Sequence, residues 1–174
     1  MSEPKVRMIP RVTVLATLHV VQGAKKRLGN VHDPMYVALV KKLMVSEEID
    51  FIFEEASGLG PTIAEKLALE QLPFGHYVDM DPAKEERAEY GILANSSEPN
   101  MIGEPPTVAF ANWQVLEVHA RREELWMQRI QQHQFQSALV ICGLVHLLSL
   151  SFRLQAAKYS VQAINYANWQ RNPV

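Results

Sequence analysis

The sequence predicts a three-layer α/β domain, a mainly parallel β-sheet flanked by helices, and three observations lead to it. Short apolar runs rich in β-branched residues recur along the chain, each ending in a polar turn. Between them lie longer segments whose apolar residues are spaced to cover one helical face. Strand and helix alternate, as a parallel sheet requires, because each crossover returns the chain to the same edge and a helix covers the sheet on the way. With 174 residues, 48% hydrophobic and 21% charged, the chain is sized for one such domain along its whole length.

Each element follows from a local pattern. Residues 11–18 begin after Pro10 and read as a buried first strand. A polar loop then leads to Asp33 and Pro34, an N-cap followed by proline at the first helical position, so a helix is expected over 34–47 with Val37, Val40, Leu43 and Met44 facing the sheet. Residues 50–53 form a second apolar run that ends at Glu54 and Glu55. A helix over 62–72 follows through Ile63, Leu67 and Leu69, then a short strand over 76–79 and a surface helix over 83–93. Residues 95–107, with Pro99, Pro105 and Pro106, read as a loop. A long helix over 111–132 carries Trp113, Leu116, Leu125, Trp126 and Ile130, with both tryptophans expected in the core. Residues 138–142, closed by Gly143, carry the strongest buried-strand signal, and a helix over 146–158 and a strand over 160–164 complete the pattern.

Composition excludes several function classes. Seventeen basic against nineteen acidic side chains leave a net charge of -2, so no bulk field recruits nucleic acid or an anionic membrane. No apolar stretch approaches the roughly 20 residues of a membrane span. The single Cys142 excludes a disulfide framework and a cysteine-rich zinc module, and inside a buried strand it is expected to be an inert thiol. The N-terminus shows no secretory apolar segment, so a cytoplasmic address is expected. Ser57-Gly58-Leu59-Gly60 lacks the lysine and spacing of a phosphate loop, and Lys25-Lys26-Arg27 reads as a solvated loop.

In open α/β sheets ligands bind beyond the carboxyl ends of the strands, which selects few polar residues here. His19 follows the first strand, Glu54 and Glu55 end the second, Asp79 and Asp81 follow the third, and His146 lies three residues past Gly143. Two imidazoles and a carboxylate on one rim suit either a divalent transition metal or acid and base chemistry without one. Side chains alternate across a strand, so Glu54 and Glu55 must face opposite ways.

Ala16-Thr17-Leu18-His19 and Gly143-Leu144-Val145-His146 share one form, a small residue followed three places later by histidine. This pair resembles the two G-x-x-H motifs of the TraB, Tiki and ChaN-like superfamily, which also includes erythromycin-esterase-like proteins; Ala16 replaces the first glycine. Asp50-Phe51-Ile52-Phe53-Glu54-Glu55 is similar to that superfamily's second-strand segment, with Glu55 in the functional place. Arg122-Glu123-Glu124-Leu125-Trp126-Met127-Gln128-Arg129-Ile130 resembles its helical R-[DE]-x-x-M-A-x-x-I segment, with Trp126 and Met127 for methionine and alanine.

The resemblance implies a hydrolase of a peptide, ester or related bond. In it His19, Glu55 and His146 would hold a divalent metal such as Mn, Co or Zn that activates a bound water. It further implies that Arg122 holds a substrate carboxylate or developing oxyanion, and that Glu123 orients it or a histidine. The esterase-like relatives imply a metal-free alternative in which a histidine activates water. The ChaN branch implies haem or iron binding instead, for which His32, Met35 and Tyr36 are the nearest ligands. The expected partner is a small-molecule or peptide substrate, and a homodimer stays open. Three placements are expected: His19, Glu55 and His146 together at one carboxyl edge, Arg122 pointing into that crevice towards an acidic partner, and the 95–107 loop governing access.

Overall fold

The computed structural model describes residues 9–18, 22, 33–56, 61–73, 75–90, 92 and 108–171, with side chains on the long helix from Glu117 onward. Its elements in order are β1 (Arg11–Thr17), α1 (Pro34–Ser46), β2 (Phe51–Glu54), α2 (Ile63–Gln71), β3 (Tyr77–Asp79), α3 (Lys84–Glu89) and α4 (Val108–Gln131). They continue with β4 (Ser137–Gly143), a single 3-10 turn (Leu144–His146), α5 (Leu147–Ala156), β5 (Ser160–Asn165) and α6 (Tyr166–Arg171). All five strands are parallel, in the order β3-β2-β4-β1-β5, as the three-layer α/β expectation requires.

β4 is threaded between β1 and β2, with Thr17 level with Gly143 and Glu54 level with Ile141. The carboxyl ends of β1, β2 and β4 therefore share one rim. β1, β2 and β4 are buried along both faces because helices cover both. Leu15, Ile52, Leu139 and Ile141 pack under α1, α2 and Tyr166. Val12, Val14, Ala16, Phe51, Phe53, Ala138, Val140 and Cys142 pack under Trp126 and Ile130 of α4 and Leu150 and Leu154 of α5.

Asp33 caps α1 as expected, one carboxylate oxygen accepting from the N–H groups of Met35 and Tyr36 while the other accepts the Tyr166 hydroxyl at 2.6 Å. Thr62 and Glu65 close a reciprocal capping box on α2. Three readings need correction. On α2 the buried stripe is Ile63, Ala64, Leu67 and Ala68, and Leu69 stands 65% exposed, because helical spacing puts it nearly opposite that stripe. The segment at 146–158 starts with a 3-10 turn and becomes α-helix only from Leu147. α6 was not anticipated at all; Tyr166 stacks on Trp169 there and meets Tyr36 edge-on at 5.5 Å. Tyr36, a candidate haem ligand, is thus a fully buried core residue. His32 and the 95–107 loop lie outside the described residues. Among those described, no helix is long and apolar enough to cross a membrane.

Candidate active site

Glu55 follows β2 directly, and strand alternation turns it to the face of Phe51 and Phe53, beneath α4 and α5. Its N–H donates to the Ile141 carbonyl, so the backbone is held in the sheet for one residue more. One oxygen of its carboxylate, Oε2, accepts the Gly143 N–H at 2.7 Å, and the other, Oε1, accepts from Arg122 Nη2 at 2.5 Å. Arg122 also donates through Nε and Nη2 to Asp81 Oδ1, at 3.1 and 2.6 Å, and Arg87 holds Asp81 Oδ2 at 2.5 Å. Asp79 fixes the turn bearing Asp81, accepting the N–H groups of Asp81 and Ala56. Burial would favour loss of the Arg122 proton, but the two carboxylates outweigh it and hold its pKa above the ordinary value.

His146 ends the 3-10 turn after β4 and is fully buried. Its Nδ1 lies 2.8 Å from Glu123 Oε1, which also accepts the Ser149 hydroxyl at 2.5 Å, while Arg153 Nε donates to Glu123 Oε2 at 3.1 Å. Burial pushes the Glu123 carboxyl up, but the bonds from His146 and Ser149 and the nearby positive charges bring it below the usual carboxylate value. With Nδ1 directed at the Glu123 carboxylate, Nε2 is the ring nitrogen turned to the rest of the site, and it is an acceptor when the ring is neutral. Nε2 faces Glu55 Oε1 across 4.0 Å.

One stripe of α4 supplies most of the remaining wall, because positions three and four apart share a helical face. His119, Arg122, Glu123 and Trp126 lie along it. The His146 ring meets Trp126 edge-on at 4.6 Å and His119 at 4.7 Å, and the Arg122 guanidinium sits 5.1 Å over the Trp126 ring. Burial lowers the His119 pKa, and the Arg122 guanidinium and, when its ring is protonated, His146 lower it further.

The structure brings Glu55, Arg122, Glu123 and His146 together, and Arg122 points inward onto two acidic partners, Glu55 and Asp81. His19 lies outside the described residues, as do Lys25, Lys26, Arg27 and the Ser57 to Gly60 stretch. Glu54 points away from this site, as alternation demands. It is buried under α2, where Thr62, Tyr77 and Gln22 donate to its carboxylate at 2.5, 2.9 and 3.1 Å. Burial nevertheless raises its pKa to about 7. Cys142 is buried and its thiol is pushed up by burial, the inert state expected of it. The sequence reading overlooked His119, Ser149 and the Gly143 N–H, and left Asp81 without a role. His119 and Ser149 were within reach of helical spacing, three positions from Arg122 and His146 respectively.

Among the described residues, no group of three His, Cys, Asp or Glu side chains is arranged to hold a metal ion. Glu55 and His146, the two described members of the expected metal set, do not fit one as placed. Tetrahedral bonds of about 2.0–2.2 Å bring ligand atoms to roughly 3.4 Å, short of the 4.0 Å between Nε2 and Oε1. The same Oε1 carries the Arg122 guanidinium, whose charge opposes a dication. Comparison of the chain with protein-family models, with curated proteins and with solved structures returned no match.

Proposed function

We propose that the chain is a metal-independent hydrolase of an ester, peptide or related bond, with His146 as general base. The observation that carries this reading is the geometry of the imidazole: Glu123 Oε1 lies 2.8 Å from Nδ1, and Nε2 faces Glu55 Oε1 at 4.0 Å. A water that donates one hydrogen to each acceptor, with bonds of about 2.8 Å, needs acceptors roughly 4.4 Å apart. The observed gap is closer to that than to a metal's bite. In this reading neutral His146 Nε2 takes a proton as the water oxygen attacks, Glu123 stabilises the imidazolium, and Glu55 keeps the water aligned; as the tetrahedral intermediate collapses, the bond to the leaving oxygen or nitrogen breaks and the imidazolium returns its proton to that atom. Arg122 provides positive charge beside the attacked atom, where an oxyanion develops.

The test is hydrolysis of p-nitrophenyl acetate, p-nitrophenyl butyrate and a short peptide anilide by chelator-treated protein. Activity should survive chelation, and Glu123→Gln, which keeps the shape but not the charge, should lower kcat/KM by about 10²–10⁴-fold. Loss of activity on chelation with recovery in Mn, Co or Zn, or full activity in His146→Gln, would overturn the proposal.

A further inference from the structure

We infer that two copies of the chain associate edge to edge, β5 against β5, with the outer sides of their α5 helices packed together across the twofold axis. β5 pairs with β1 on one side only, and among the described residues no strand covers its other side. A strand that must remain an edge usually carries lysine, proline or a bulge to deter pairing. Ser160-Val161-Gln162-Ala163-Ile164-Asn165 carries no charge and no proline, and Ser160, Gln162 and Ala163 are exposed.

The helix above this edge points the same way. α5 buries Leu150 and Leu154 against the sheet and turns Ser149 and Arg153 to Glu123 of α4. Helical spacing then turns Leu148 and Phe152 away from Leu150 and Leu154, to the outer side of a helix that packs on β5 and β1. They are 71% and 69% exposed, and Val145, one turn earlier, is 67% exposed. A contiguous apolar stripe of this kind on a water-facing helix is the sort of surface that marks an interaction site.

Charge and area favour a second copy as the partner there. The only ionisable side chain in α5 and β5 is Arg153, already paired with Glu123, so a charged partner finds nothing to bind while an identical neutral face meets no repulsion. Antiparallel pairing about the middle of β5 puts the two Lys158 side chains, which precede the strand, at opposite ends of the ladder. Val145, Leu148 and Phe152 offer roughly 350 Å² per copy. A six-residue edge about 20 Å long adds a strip of some hundreds of Å², and the sum approaches the roughly 800 Å² per partner of a standard interface.

Sedimentation velocity and light scattering on the full chain test the inference. The wild type should run at twice the chain mass and dissociate on dilution, and Leu148→Asp/Phe152→Asp should weaken dimerisation by at least about 100-fold. Gln162→Lys, on an exposed side chain that the fold does not need, should do the same by placing two ammonium groups near the axis, with an unchanged circular dichroism spectrum. Its amides in β5 should exchange faster than those of the wild type. A monomeric wild type, or a dimer that persists in folded Gln162→Lys with the same β5 protection, would overturn the inference.

Discussion

Replacing Glu54 by glutamine should remove a pH dependence of stability whose sign is the reverse of an ordinary carboxylate's. Three donors reach the Glu54 side chain and favour its charged form, yet it is fully buried, and desolvation prevails to raise its pKa from 4.5 to about 7. The folded protein therefore keeps a proton, between those two values, that the unfolded chain releases. Its stabilising contribution is complete below about pH 4.5, falls as pH rises, and is gone above about 7. Carrying the proton across the interval from 4.5 to about 7 corresponds to roughly 3 kcal/mol. Urea unfolding of wild type and Glu54→Gln at several pH values from about 5 to 8 measures it, and the difference between the two proteins cancels every other titrating group. The wild type should lose about 2–3 kcal/mol relative to the variant across that window. Parallel profiles would show that this carboxyl does not titrate there. A wild type that gains stability with rising pH would show that the three donors, not burial, control the group.

Arg122→Met should cost roughly 3–5 kcal/mol in urea unfolding, because it leaves Glu55 buried without its guanidinium and strips one of the two arginines from Asp81. A loss below about 1 kcal/mol would mean that the ion pair is exposed in solution. On α2, Leu67→Ala should cost about 2–5 kcal/mol while Leu69→Ala stays within roughly 0.5 kcal/mol, since only the first is buried. Equal losses would place the helix in the other phase.

β1 and β4 were legible because both faces of each are buried, which leaves continuous apolar runs that no surface strand or loop would show. Asp33-Pro34 was equally plain, being a capping signal whose chemistry is local. The insertion of β4 between β1 and β2 was not legible, since strand order depends on which pairings bury the most surface, a property of the assembled sheet. α6 escaped because six residues cannot display a helical period; its signal was Tyr166 and Trp169, three apart. Within the site, His146, Glu55, Arg122 and Glu123 were found by strand ends and by motif. His119 shares the α4 stripe three positions from Arg122, so the inward face expected for Arg122 would have selected it. Leu69 misled because it is apolar yet lies nearly opposite the stripe of Ile63, Ala64, Leu67 and Ala68, and only the helical phase separates it from Leu67.

The bond from the Gly143 N–H to Glu55 has an implication for how the site can change by mutation. A side-chain donor can be lost to any of many point substitutions, whereas a main-chain donor survives every replacement except proline. Residue 143 has φ -64°, a value that proline itself adopts, so Gly143→Pro would delete the donor without demanding a new backbone path. Glu55 is therefore anchored on one oxygen by something selection can hardly remove and on the other by Arg122, which it can. Variation in this site, natural or directed, should accordingly accumulate on the arginine side of the carboxylate, with the β4 side staying constant.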